Sequence, residues 1–165
     1  MTALPFLGEH GDLDIRTKAT YLVHLLGHRL LFVADSNNLE PRLFEHLRAL
    51  RGDVDVLFVG MECDGGPLSW LYGPMLTRPL SRKMDQSRRF DGSDFDRAMS
   101  LVDGLNVRQV YVYAMGQEPW LAYLTSIAYT DTSRPILESN RLVETCRRRG
   151  LVAERLFGCQ DLKLI

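Results

Sequence analysis

Between Ala19 and Ala34 the chain carries two apolar, β-forming runs with one glycine between them, and the second run ends on an aspartate. The runs are Ala19-Thr20-Tyr21-Leu22-Val23-His24-Leu25-Leu26 and Leu30-Leu31-Phe32-Val33-Ala34, and Gly27-His28 stands at the connection. Runs this short joined by so few residues fold as a tight antiparallel hairpin, which spans near 19–26 and 29–34. Asp35 then lies at the carboxyl end of the hairpin's second, buried strand. A carboxylate there stays charged only with a strong partner, and a metal ion is the commonest such partner. A second polar signal, Gly8-Glu9-His10-Gly11-Asp12, precedes the hairpin, while Asp35-Ser36-Asn37-Asn38 follows it.

After the hairpin, apolar periodicity changes from strand to helix and back several times. Leu43, Leu47 and Leu50 share one face of a helix over Leu39–Leu50, with Pro41 in the first turn and Gly52 past the end. Val54–Gly60 is a near-continuous apolar run, as expected of a strand covered on both faces. Ser93 can cap a helix from Asp94 to Leu105, and Val107–Tyr113 reads as a strand. Glu118-Pro119-Trp120 opens a short helix, Arg134–Arg149 forms a longer one stopped by Gly150, and Leu151–Phe157 is the last strand. A hairpin followed by alternating strands and helices defines an α/β layer structure. The stretch Met61–Gly92 is longer than the about 12–15 residues of an ordinary loop. Trp70, Leu71, Tyr72, Met75 and Leu76 in it argue for an ordered insert that covers or builds a pocket.

At 165 residues and 45 % hydrophobic, the chain has the size of a single domain, 1–165, with one buried core. Twenty basic residues against 21 acidic ones leave a net charge of −1, which does not mark a nucleic-acid or membrane-surface binder. Arg147-Arg148-Arg149 falls at a helix end and serves its dipole. No apolar run approaches the roughly 18–20 residues of a membrane span, and no basic-then-apolar leader opens the chain. Three cysteines, Cys63, Cys146 and Cys159, form no closely spaced pair, and their odd count argues against a disulfide framework and for a reducing cytoplasm. No strand is followed by a Gly-x-Gly-x-x-Gly or phosphate loop, so a nucleotide-binding domain is disfavoured.

Candidate chemistry gathers in three places. Glu9, His10, Asp12 and Asp35 offer carboxylate and imidazole donors of the kind that hold divalent zinc or iron from separate loops. Asp35 is alternatively a turn-capping residue working with Ser36 and Asn37, and His10 alternatively a plain loop histidine. His24, His28 and His46 read as surface or core residues. Tyr113-Ala114-Met115-Gly116-Gln117-Glu118 follows a buried strand and presents Glu118 at its carboxyl end, where ligands of α/β proteins commonly sit; Trp120 reads as a core anchor. Gly60-Met61-Glu62-Cys63-Asp64 also follows a strand. There Glu62 is the preferred ligand, supporting carboxylate or proton carrier, and the alternative is an ordinary polar turn. Cys63 as a nucleophile is disfavoured because no histidine in the motif serves as its base. Lys83, Asp85, Arg88 and Arg89 either bind an anionic substrate or solvate the insert.

An acid or histidine in a loop, then a hairpin, then an aspartate at the strand end, resembles the C-terminal half of a metallo-β-lactamase-fold enzyme, over Glu9 to about Phe157. The nearest relatives suggested are UlaG-like hydrolases and the diiron β-hydroxylases of nonribosomal peptide pathways. The hydroxylases are similar in carrying a glutamate where hydrolases carry histidine, as Glu9 does here. The resemblance implies half of an αββα sandwich, with Glu9 a terminal ligand and Asp35 a bridge between two metals; His10, beside Glu9, is a further candidate donor on its own chemistry. Glu62 and Glu118, each in the loop after a strand, are the candidate catalytic groups nearby. A glutamate makes the site oxygen-rich and favours iron over zinc. The superfamily's His-x-His-x-Asp-His cluster does not occur in this chain, and Gln117 or Glu118 occupies the place of its last histidine.

The expectation is therefore a metal-dependent hydrolase-like or diiron oxygenase-like protein, incomplete without an N-terminal His-x-His-x-Asp-His half. Its cofactor is a divalent metal, zinc or iron, dinuclear in a full site and absent if the chain has lost the chemistry. Its partners are an N-terminal half or a second copy, and a small-molecule substrate. The competing expectation is a non-catalytic binding or interaction module in which the Met61–Gly92 insert does the binding.

Overall fold

A computed structural model describes residues 14, 19–34, 36, 38–67, 69, 72–87, 91–120 and 128–165. Its centre is a five-stranded sheet in sequential order: β1 (Tyr21–Leu25), β2 (His28–Val33), β3 (Val56–Gly60), β4 (Gln109–Tyr113) and β5 (Val152–Arg155). β1 pairs antiparallel with β2, and β2 to β5 are parallel. Four helices are described: α1 (Arg42–Arg51), α2 (Arg82–Ser87), α3 (Phe95–Leu105) and α4 (Arg134–Arg148). α1, α3 and α4 pack in one layer against one face of the sheet. The expected α/β architecture, a hairpin followed by alternating strands and helices, is present.

The hairpin turn is Leu26-Gly27 rather than Gly27-His28, and His28 already pairs with Leu25. Both central residues have positive φ, 50° and 85°, as a primed two-residue turn requires. Glycine adopts that geometry without penalty, while Leu26 is the rarer non-glycine case.

Alternation along the strands divides the side chains between two faces. Leu31, Val33, Leu57, Val59, Val110 and Val112 point to the helices and meet Phe44, Leu101, Leu105 and Leu142 in the main core. The opposite face carries a row in register across four strands: Tyr21, Phe32, Phe58 and Tyr111. Phe32 stacks on Phe58 with ring centroids 4.4 Å apart, and Phe58 on Tyr111 at 5.4 Å. The C-terminal tail packs over part of this row through Leu156, Leu162 and Leu164. Buried Gln109 holds it there: its amide nitrogen donates to the Lys163 carbonyl (2.8 Å), and its side-chain oxygen accepts the Ile165 N–H (3.0 Å). No described helix is long and apolar enough to cross a membrane.

Within the Met61–Gly92 insert, Gly73–Met75 forms a single 3-10 turn. Asp85 on α2 accepts from both the backbone and the hydroxyl of Ser69 (2.7 and 2.5 Å), which holds its carboxyl below the usual aspartate range. Asp85 thus ties the insert to itself; Lys83 is exposed, and Arg88 and Arg89 lie outside the described residues.

Candidate metal centre

The parallel register puts the carboxyl ends of β2, β3 and β4 on one edge, and the loops with the candidate residues leave from that edge. The loop after β2 is anchored on both sides of position 35. Ala34 accepts the Gly60 N–H through its carbonyl (3.0 Å), and Ser36 donates its N–H to the Val33 carbonyl (3.2 Å). The Ser36 carbonyl accepts the hydroxyl of fully buried Ser93 at 2.6 Å. Ser93 was expected to cap the α3 helix. The cap is instead Asp94, whose carboxylate accepts from the Arg97 N–H (3.1 Å), and the serine hydroxyl is thereby free to reach back to Ser36.

The strand ends approach too closely for side chains. A Cβ on Gly60 would run into the Ala34 carbonyl, and one on Gly92 would lie 2.9 Å from the Gly60 carbonyl oxygen. The Ser93 N–H donates to Gly60 (3.2 Å) and the Gly92 N–H to Glu62 (2.7 Å), closing the contact with backbone hydrogen bonds. Asn38 completes the turn in left-handed backbone geometry, φ 48°. Its side chain, on a residue only 7 % exposed, donates to the Arg97 carbonyl (3.2 Å) and to the Ser100 hydroxyl. Its carbonyl oxygen Oδ1 is buried and has no hydrogen-bond partner among the described residues.

Glu62 lies two residues past β3, and both of its carboxylate oxygens are engaged. One accepts the Gly65 N–H and the other the Tyr129 hydroxyl, each at 2.7 Å. Burial, then the bond to Glu62, raises the ionisation of Tyr129 far above the usual phenol range, so it stays a neutral donor. Next to it, burial pushes the Cys63 thiol up to about 11, which keeps it protonated at neutral pH and unsuited to act as a nucleophile. Arg134, at the start of α4, donates to the Cys63 carbonyl (3.3 Å) and lies 3.8 Å from both Asp64 and Asp94. Tyr129 and Arg134 carried no recognisable signal in the sequence, since their partners are about seventy positions away.

Past β4, Ala114 and Gly116 take positive φ (55° and 67°), and half-buried Glu118 follows on the same edge as Glu62. Pro119 and Trp120 are helical, but Trp120 is exposed and is not the core anchor its size suggested. His24 and His46 are exposed and His28 is half-buried. Glu9, His10, Asp12 and Asp35 lie outside the described residues, and among the described ones no three metal-ligating side chains cluster.

No protein-family profile matches the chain. It is 44 % identical over 164 residues to the 4-amino-L-phenylalanyl-(CmlP-peptidyl-carrier-protein) 3-hydroxylase of Streptomyces venezuelae, an alignment covering 99 % of this chain and 31 % of that protein. The crystal structure of CmlA, a diiron β-hydroxylase from the same species, superposes with a TM-score of 0.83 and 45 % identity over 93 % of this chain and 30 % of CmlA. A Glu-to-Asp variant of CmlA superposes with a TM-score of 0.78 and 44 % identity, covering 94 % of this chain and 29 % of the variant. The chain is homologous to the C-terminal part of a diiron β-hydroxylase of the metallo-β-lactamase fold. The half-sandwich expected from the hairpin and strand-end aspartate is thus the fold observed. The chain spans about 30 % of the length of these β-hydroxylases, and of the two relatives the sequence suggested it is the hydroxylase, not the hydrolase, that they represent.

Proposed function

We propose that this chain forms the strand-end part of a diiron β-hydroxylase that acts on an aminoacyl group carried by a peptidyl carrier protein. The observation that carries the reading is the 44 % identity over 164 residues to a hydroxylase of that kind, with a common fold. The proposed ligands are Glu9 and His10 before the hairpin and Asp35, as bridge, after β2. Two carboxylates and an imidazole make a hard donor set that suits iron better than zinc. The buried Oδ1 of Asn38, three residues beyond Asp35 and without a donor among the described residues, fits the vicinity of a cation or of the water a cation holds. When bound, the metal pair supplies the oxygen chemistry of the hydroxylation.

The chain's own residues have narrower tasks. Asp35 and Glu9 supply the negative charge of the proposed ligand set. Glu62, occupied by Gly65 and Tyr129, keeps the turn after β3 folded and leaves the neutral Tyr129 as a fixed donor beside it. Glu118, for which no hydrogen bond is described, is the carboxylate better placed to handle a proton. The remaining ligands and much of the substrate pocket belong to an N-terminal part of the longer polypeptide or to a partner. Its proposed seat is the open stretch of the sheet's second face, where Tyr21, Val23 and Leu25 are exposed. The reading includes a reducing, cytoplasmic setting, consistent with the three free cysteines.

The test is to join the chain to the N-terminal part, supply iron, reductant and oxygen, and follow a carrier-tethered aromatic amino acid by mass spectrometry. The expected product gains one oxygen at the β carbon, and Asp35→Ala abolishes it. Hydrolytic release from the carrier without oxygen gain would favour a hydrolase; neither reaction would favour the non-catalytic module, which the full engagement of Glu62 also suits.

A further inference from the structure

We propose that Ser93, assisted by Asn38, is a positioning residue that holds the main chain on both sides of Asp35 so that its carboxylate meets the metal. The inference rests on the reading of Asp35 as a metal ligand. Asp35 stands between two anchored neighbours. Ala34 is tied to Gly60, and Ser36 to Val33 through its N–H and to Ser93 through its carbonyl. The Asn38 N–H donates to the Ser36 hydroxyl (3.3 Å), and the Asn38 side chain is fixed to Arg97 and Ser100 on α3. The first turns of α3 therefore grip the turn after β2 from two directions.

Ser93 is an expensive way to make an ordinary loop. It is completely buried, its hydroxyl is withheld from the helix cap that Asp94 provides, and its one described acceptor lies 57 positions away beside the proposed ligand. A hydroxyl that capped α3 would bond within α3, and this one does not. Hydrogen bonds behind a metal ligand typically change metal affinity by about 10–100-fold when removed, because they set the ligand's orientation.

The experiment is an anaerobic Fe(II) titration of the chain joined to its N-terminal part, with melting temperatures of the metal-free proteins. The variants are Ser93→Ala, Asn38→Gly, Asp35→Ala and the Ser93→Ala/Asp35→Ala pair. Asn38→Gly keeps a residue suited to φ 48° and stands in if Ser93→Ala fails to fold. The expected result is that Ser93→Ala and Asn38→Gly each weaken Fe(II) binding on the order of 10-fold. In the Asp35→Ala background, Ser93→Ala should cause no further loss of affinity while lowering the melting temperature as it does alone. Unchanged affinity in Ser93→Ala, with Asp35→Ala impaired, overturns the positioning role alone. So does an equal loss in both backgrounds, which would mark a general structural effect. Wild-type affinity in Asp35→Ala overturns the metal reading of Asp35 and this role with it.

Discussion

The two faces of one sheet have different fates in this molecule. Toward the helices, Leu31, Leu57, Val59 and Val110 are completely buried, and α1, α3 and α4 close over them. On the other face the aromatic row is covered at β3 and β4 by ten residues of tail and is open at β1, where Tyr21 is 66 %, Val23 40 % and Leu25 47 % exposed. One face is a finished core, built from periodicity that any α/β domain shows. The other is half a core, and three large apolar side chains aligned on one strand face need a cover to contribute stability. The strand-end edge joins the two, so a site there draws its rigidity from the closed face and its remaining walls from whatever covers the open one.

Substitutions separate the faces most sharply at their centres. Leu57→Ala should destabilise the chain by about 2–5 kcal/mol in urea unfolding, because the cavity it leaves is enclosed on every side. Gln109→Ala acts on the other face. It leaves the Ile165 N–H and Lys163 carbonyl without their partner, and should cost roughly 1–3 kcal/mol while hydrogen exchange in residues 156–165 rises. Intact tail protection in that variant would mean that Leu156, Leu162 and Leu164 hold the tail unaided.

A pH effect of smaller size comes from Asp91, beside Glu62. Burial raises its carboxyl above the usual aspartate value of 3.8, with Arg97 opposing and Glu62 adding to the rise. The folded state then holds a proton that the unfolded state has released. Its contribution is full below 3.8 and is lost as pH rises through the folded value. Asp91→Asn should remove that fall from the pH dependence of unfolding; an unchanged slope assigns it to another group.

The smallest effect belongs to the open edge. Replacing Tyr21, Val23 and Leu25 together by serine should cost the isolated chain no more than about 1 kcal/mol per site, since these side chains are already 40–66 % exposed. The same variant should lose association with the N-terminal part, measured by co-purification. A loss per site comparable to that of Leu57→Ala would show that the edge is already part of a closed core.

Much of the fold was legible because its signals are local. The apolar run of β3, the caps at Gly52 and Gly150, and the periodicity of α1, α3 and α4 all act within a few residues. The hairpin turn was displaced by one residue because Leu26, rather than a second glycine, takes the first positive φ. The cap of α3 was misassigned for a similar reason. Ser93 and Asp94 are both good capping residues, and the choice depends on Ser36, far away in sequence and adjacent in space. The candidate site was legible as to its edge but not its contacts. That Glu62, Glu118 and the loop after β2 leave the same end of the sheet follows from strand order, whereas Tyr129 closing on Glu62 does not. Asn38 did carry a signal, because asparagine is the residue that most readily accompanies glycine in left-handed geometry.

The central claim is that this chain brings iron ligands to the carboxyl end of β2, and iron content tests it most directly. The chain joined to the N-terminal part, reconstituted anaerobically with Fe(II) and desalted, should retain iron by plasma mass spectrometry, and Asp35→Ala should lose it while keeping its melting transition. Iron retained equally by both proteins, or by neither, would contradict the account.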